Sequence, residues 1–164
     1  MDFYPWVVVA HVFFVILAFG AHGVSAFAMF RVKSETDRTR MVAVFELSSV
    51  SLVAAGVGLL IAVVLGIIAA IVGGHLGRLW PWVSIAVVVV TWLAMTPLAA
   101  NPMLAVRKAL GMPARDAKKG DPPRQPETDA ELAAAQARLR PELVAAVGLV
   151  AIAVLVWLME LKPF

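Results

Sequence analysis

Four long apolar runs separated by short polar segments dominate the chain. They extend from Pro5 to Phe30, Val42 to Gly73, Trp80 to Ala100 and Pro141 to Met159. Each supplies about the 20 apolar residues that a helix rising 1.5 Å per residue needs to cross roughly 30 Å of hydrocarbon. The second is long enough to tilt or to protrude. The first does not read as a signal peptide, because it is too long and only Asp2, with no Lys or Arg, precedes it. Trp6, Trp80, Trp82 and Trp157 fall at run ends on one side, as an interfacial belt would. Trp92, in mid-run, does not fit that belt. The pattern predicts an all-α fold, an antiparallel four-helix membrane bundle with residues 1–164 as a single domain.

The polar segments carry their own signals. Pro97 and Pro102 bracket Asn101 and are expected to end the third helix near the membrane surface. Asp116 to Thr128, DAKKGDPPRQPET, is rich in Pro and charge and reads as a mobile linker. Thr128 and Glu131 then stand at capping-box positions. Leu132, Ala135 and Leu139 recur at helical spacing, predicting a short amphipathic helix over 129–139. It reads as a solvated extension of the fourth span, bent at Pro141. Linker and short helix together occupy about residues 111–140.

Composition supports the membrane reading. The chain is 62% hydrophobic and 15% charged, with a mean hydropathy of +0.89. Soluble domains are about 45–50% apolar and about 25% charged. A net charge of +3 would fit a nucleic-acid binder, but the cations lie between the apolar runs. Arg31, Lys33, Arg38 and Arg40 occupy the first connection. Arg107, Lys108, Arg115, Lys118, Lys119, Arg124, Arg138 and Arg140 occupy the third. Only Arg78 and Lys162 lie on the other side. The positive-inside rule therefore predicts both termini outside, with the first and third connections cytoplasmic. There is no cysteine, which excludes disulfides and thiolate chemistry. The two halves show no repeat, which weakens an inverted-repeat transporter reading. Walker, GxGxxG and GxSxG motifs are absent, so the reading leans away from an enzyme.

Two features inside the spans are candidates for function or assembly. In the second run Ala54, Gly58, Ala62, Gly66, Ala70 and Gly74 place a small residue at every fourth position, a helix-packing signal that does not say whether the partner is this chain or a second copy. The ionisable residues are the other feature, since groups of this kind within spans are functional candidates. His22 and Glu46, counted from the run ends, fall at similar depths on neighbouring helices and could pair; the competing reading has Glu46 reaching the surface near Arg38 or Arg40. His11 shares a helix face with Val15, Ala18, His22 and Ser25. His11 and His75 are both near the outer side, where a haem or metal ion is conceivable; a hydrogen-bonded structural histidine is the competing reading. Whether any cofactor binds is otherwise unknown from these residues.

HVFFVILAFGAHGVSAFAMFRVKSETDRTR and VFELSSVSL resemble a family of small bacterial four-span integral membrane proteins of unknown function. His11, His22, Gly23, Ser25, Glu46, Leu47 and Ser48 carry the resemblance, with Glu46 where the family pattern has Asp. It covers about the first 55 residues, the remainder matching by hydropathy alone. A looser similarity links the chain to copper-resistance D-type membrane proteins. The resemblance implies a bacterial cytoplasmic membrane and four spans, and brings no activity. The expected function is a membrane protein with a polar His/Glu site for ligand, metal or proton binding. The alternative is an assembly subunit packing through the stripe, with a small channel or transporter third. The expected partners are the lipid bilayer and either a second copy or another membrane protein, with no nucleic acid.

Overall fold

The computed structural model describes residues 3–113 and 124–164. Six α-helices make up the described chain: α1 (Tyr4–Ser34), α2 (Arg38–Val72), α3 (Trp80–Met95), α4 (Asn101–Ala109), α5 (Asp129–Ala137) and α6 (Pro141–Leu161). A five-residue π segment, Thr96–Ala100, joins α3 to α4. There is no strand among the described residues. Four stretches are long and apolar enough to cross a membrane: Tyr4–Ser34, Arg38–Val72, Trp80–Ala109 and Asp129–Leu161. They form a four-helix bundle.

Local chemistry explains the helix ends. Proline sits in the first two positions of α1, α3 and α6, where its missing N–H costs nothing. The α1–α2 turn is only Glu35–Asp37. Asp37 caps α2 by accepting from the backbone N–H of Thr39 at 2.8 Å and Arg40 at 3.2 Å. At the far end of α2, His75 N–H donates to the Ala70 carbonyl at 2.8 Å and Gly74 N–H to Ile71 at 3.1 Å. This closure needs a left-handed residue, and Gly74 supplies it with φ 68°.

The closest packing is between α1 and α2. Buried positions recur every seven residues, at Ala18, Ser25 and Val32 on α1 and at Met41, Ser48, Ala55 and Ala62 on α2. A seven-residue repeat keeps two helices in register by letting them wrap gently around each other. The small residues of α2 allow the backbones to approach. A Cβ on Gly58 would lie 3.3 Å from the Ala18 Cβ, and one on Gly66 only 2.9 Å from the His11 ring. The every-fourth-residue stripe is corrected at its ends. Ala54 and Gly74 are exposed, and Ala55 takes the inward place expected of Ala54. Four residues advance a helix by about 40° beyond one full turn, so five such steps cannot stay on one seam.

The third helix does not stop at its prolines. Asn101 N–H bonds back to the Thr96 carbonyl, five residues away, and the helix continues to Ala109. Widening one turn accommodates the proline rings without ending the helix. This continuation carries Val106 and Ala109 into an apolar cluster at the basic end of the bundle. There they meet Met29, Val32, Met41, Phe45, Leu132, Leu139 and Val144.

The capping box of α5 forms as its sequence predicts. Thr128 Oγ1 accepts from Glu131 N–H at 3.3 Å, and Glu131 Oε2 accepts from Thr128 N–H at 2.9 Å. The expected solvated extension is corrected, however. Leu132 and Leu139 are buried, at 4% and 1% exposure, so the amphipathic face closes the basic end of the bundle. The mobile linker falls largely outside the described residues. Its last part is tethered: Glu127 N–H donates to the Ala109 carbonyl at 2.9 Å, and Arg38 Nη2 donates to the Glu127 carbonyl at 2.8 Å and to Asp129 Oδ1 at 2.7 Å.

Candidate functional site

The span residues are positioned by the α1–α2 register. His11 Nδ1 lies 2.7 Å from the Ala62 carbonyl oxygen, a hydrogen bond across the helix pair in which the ring nitrogen donates. Ser25 Oγ donates to the Ser48 carbonyl at 3.1 Å. Both bonds go to backbone oxygens of α2. They join the two helices and leave neither side chain directed at open space.

His22 and Glu46 are not brought together. No hydrogen bond or ion pair joins them among the described residues, and Glu46 is exposed on α2. Depth is the first reason. His22 lies between Ala18 and Ser25, whose opposite numbers are Gly58 and Ser48, whereas Glu46 lies beyond Ser48 towards the basic loop. Both helices run four residues beyond their apolar runs at this end, but His22 lies twelve residues from Ser34 and Glu46 only eight from Arg38. Azimuth is the second reason. The residue adjacent to Glu46, Phe45, is buried, and one step along a helix turns the side chain by about 100°.

His11 and His75 occupy separate places along α2. His11 abuts Gly66 and His75 abuts Gly73. Seven residues of α2 separate these levels, about 10 Å at 1.5 Å per residue. Among the described residues no group of three or more His, Cys, Asp or Glu side chains is placed to hold a metal ion.

Polar and aromatic groups do converge on open space at the end of the bundle remote from the basic loops. A cavity of about 160 Å³ there is lined by His75, Arg78, Trp80 and Lys162. One water requires about 10–15 Å³ by this kind of measure, so the space admits a small ion or headgroup fragment. The Gly73-Gly74 closure of α2 turns His75 back towards α1, where its Nε2 lies 3.4 Å from Tyr4 Oη. The His75 ring also lies 5.5 Å from the Trp80 ring and 6.1 Å from that of Tyr4. Glycine is needed at 73, since a Cβ would come within 2.6 Å of the Tyr4 ring.

The last turn of α6 brings in the fourth wall. Lys162 has φ 45° and ψ 56°, a left-handed conformation, with its N–H bonded to the Leu158 carbonyl at 3.1 Å. That conformation is uncommon away from glycine, and here it sets the Lys162 ammonium 5.8 Å from the centre of the Trp80 ring, a cation–π contact. Trp80 opens α3, and its N–H donates to a Phe164 oxygen at 3.4 Å. Trp82 Nε1 donates to the Leu76 carbonyl at 3.1 Å, fastening the short connection that carries Arg78.

Sequence reading singled out His75 but not Tyr4, Arg78, Trp80 or Lys162 as its companions. The signal was present. Arg78 and Lys162 are the two Lys/Arg residues of the sequence on that side, and Trp80 reads as part of an interfacial belt. No protein-family model matches the chain, and no curated protein or solved structure is significantly similar to it.

Proposed function

We propose that the chain is a multi-pass protein of a bacterial cytoplasmic membrane, inserted with both termini outside, that acts as a binding protein at its outer face. The observation that carries this reading is the cavity formed by His75, Arg78, Trp80 and Lys162. Four long apolar helices support membrane insertion, and the distribution of Lys and Arg supports the orientation. The resemblance of the first 55 residues to small bacterial four-span proteins supports the choice of membrane. The competing readings have less to draw on. Assembly through the α2 stripe would need a free surface, yet Gly58 and Gly66 already face α1. A conduction path would need continuous polar lining, and the buried polar side chains among the described residues are Ser25, Ser48 and Ser84.

Two measurements test the proposal. The chain has no cysteine, so single cysteines report cleanly. With a membrane-impermeant maleimide on intact cells, Gly77→Cys should label and Arg124→Cys should label only after permeabilisation. The opposite pattern overturns the orientation. In a thermal-shift screen of small ions and headgroup analogues, at least one compound should stabilise the wild type and not Trp80→Ala. A screen in which none does so overturns the binding role.

A further inference from the structure

We propose that the outer cavity takes a phosphate group carrying net negative charge, an inference that rests on the binding reading above and names its ligand class. Two cationic side chains, Arg78 and Lys162, line it together with His75 and Trp80, and no acidic side chain does. Neither Arg78 nor Lys162 belongs to any ion pair among the described residues, whereas five of the nine described cations at the basic end do: Arg31, Lys33, Arg38, Arg40 and Lys108. The nearest acidic side chain in sequence, Glu160, also forms no ion pair and does not line the cavity. A Phe164 oxygen near the start of α3 accepts from the backbone N–H of Trp80 and forms an ion pair with neither cation.

The shape of the site adds to its charge. The guanidinium of Arg78 offers the planar, forked donors that suit phosphate oxygens, and the Lys162 ammonium acts as a point charge beside them. The left-handed backbone at Lys162, which also precedes Pro163, directs that ammonium over the Trp80 ring and the cavity. Trp80 and Trp82 mark the level at which interfacial aromatics lie, and lipid phosphates lie at that level too. The phosphate can come from an anionic lipid headgroup or from free phosphate in the surrounding water.

The test uses the full chain purified in maltoside micelles. Native mass spectrometry compares retention of phosphatidylglycerol and phosphatidylcholine with identical acyl chains, and thermal shift follows inorganic phosphate. Preferential retention of phosphatidylglycerol, undisplaced by phosphate, assigns the headgroup source. Stabilisation by inorganic phosphate assigns the free anion. In either case Arg78→Gln and Lys162→Gln should each weaken binding about fivefold and together about 25-fold, the scale of one basic residue at a membrane surface. Arg78→Lys, which keeps the charge but loses the forked donors, should fall between the wild type and Arg78→Gln, and Arg124→Gln, at the opposite end, should change nothing. Equal retention of the two lipids with no response to phosphate overturns the proposal, as does a double variant that binds like the wild type. If those results coincide with stabilisation of the wild type, but not of Trp80→Ala, by some uncharged or cationic compound, the phosphate assignment fails and the binding site stands.

Discussion

His11 shows how one side chain can look functional in a sequence and be structural in a fold. A histidine within an apolar run is expected to have a partner, because an unpaired polar group in low dielectric is costly. Its partner is the Ala62 carbonyl, at 2.7 Å, and the ring fits only because position 66 has no side chain. We therefore expect Gly66→Ala to cost about 1–3 kcal/mol through overpacking. Gly66→Ala and His11→Ala should be markedly non-additive in thermal unfolding, since removing the ring also removes the clash. Additive losses would mean that the ring does not abut Gly66. The opposite is expected of His22→Ala and Glu46→Ala, whose effects should add within about 0.5 kcal/mol because the two side chains do not meet. A larger coupling energy in that double mutant would restore the pairing that the register argues against.

At the scale of elements, the termini of α1 and α2 are held by groups distant in sequence. Gln136 Nε2 donates to the Val32 carbonyl at 2.7 Å and to the Glu35 carbonyl at 2.9 Å, satisfying oxygens that the end of α1 leaves without helical partners. Gln136→Leu should therefore lower stability by about 1–3 kcal/mol, the range for buried groups that lose their partner, and thermal unfolding would show it. Glu35 gives this turn a pH dependence. Backbone N–H groups of Asp37, then Thr36, donate to its carboxylate and hold its pKa below the ordinary value. A depressed carboxylate pKa adds stability above the unfolded-state value, and that stability is lost as pH falls through the folded-state value. The melting temperature should thus fall on acidification below about pH 4.5. Glu35→Gln should reduce that fall, and an unchanged acid limb would show that the turn does not depend on the charge.

At the scale of the molecule, burial is uneven, as expected of a chain that lipid helps to solvate. Leu139, at 1% exposure, lies in the cluster where α1, α2, α4, α5 and α6 meet, whereas Leu149, at 67%, lies on the outside of α6. Leu139→Ala should cost about 2–5 kcal/mol, as cavity-forming substitutions do. Leu149→Ala should stay within about 0.5 kcal/mol, and comparable losses at the two sites would mean that another surface covers α6. The basic-end cluster also makes α5 part of the bundle, joining the end of α1 to the start of α6 through Leu132, Gln136 and Leu139.

Run length and hydropathy alone determined four apolar helices, because a span is a local requirement met within one segment. The capping box at Thr128 and Glu131 was legible for the same reason, since all its atoms lie within one turn. The small residues of α2 announced a close contact, but only the tertiary structure named α1 as its partner and replaced Ala54 with Ala55 in the seam. The register between α1 and α2 decided that His11 meets Ala62 and that His22 misses Glu46. Register depends on which side chains of the two helices interlock, which hydropathy does not report. The continuation through Pro97 and Pro102 required packing at Val106 and Ala109 that local propensity could not foresee. His75, Arg78, Trp80 and Lys162 were all visible in the sequence as separate residues. Only folding two helix ends towards one point, by a left-handed Gly74 in one and a left-handed Lys162 in the other, made them a single cavity.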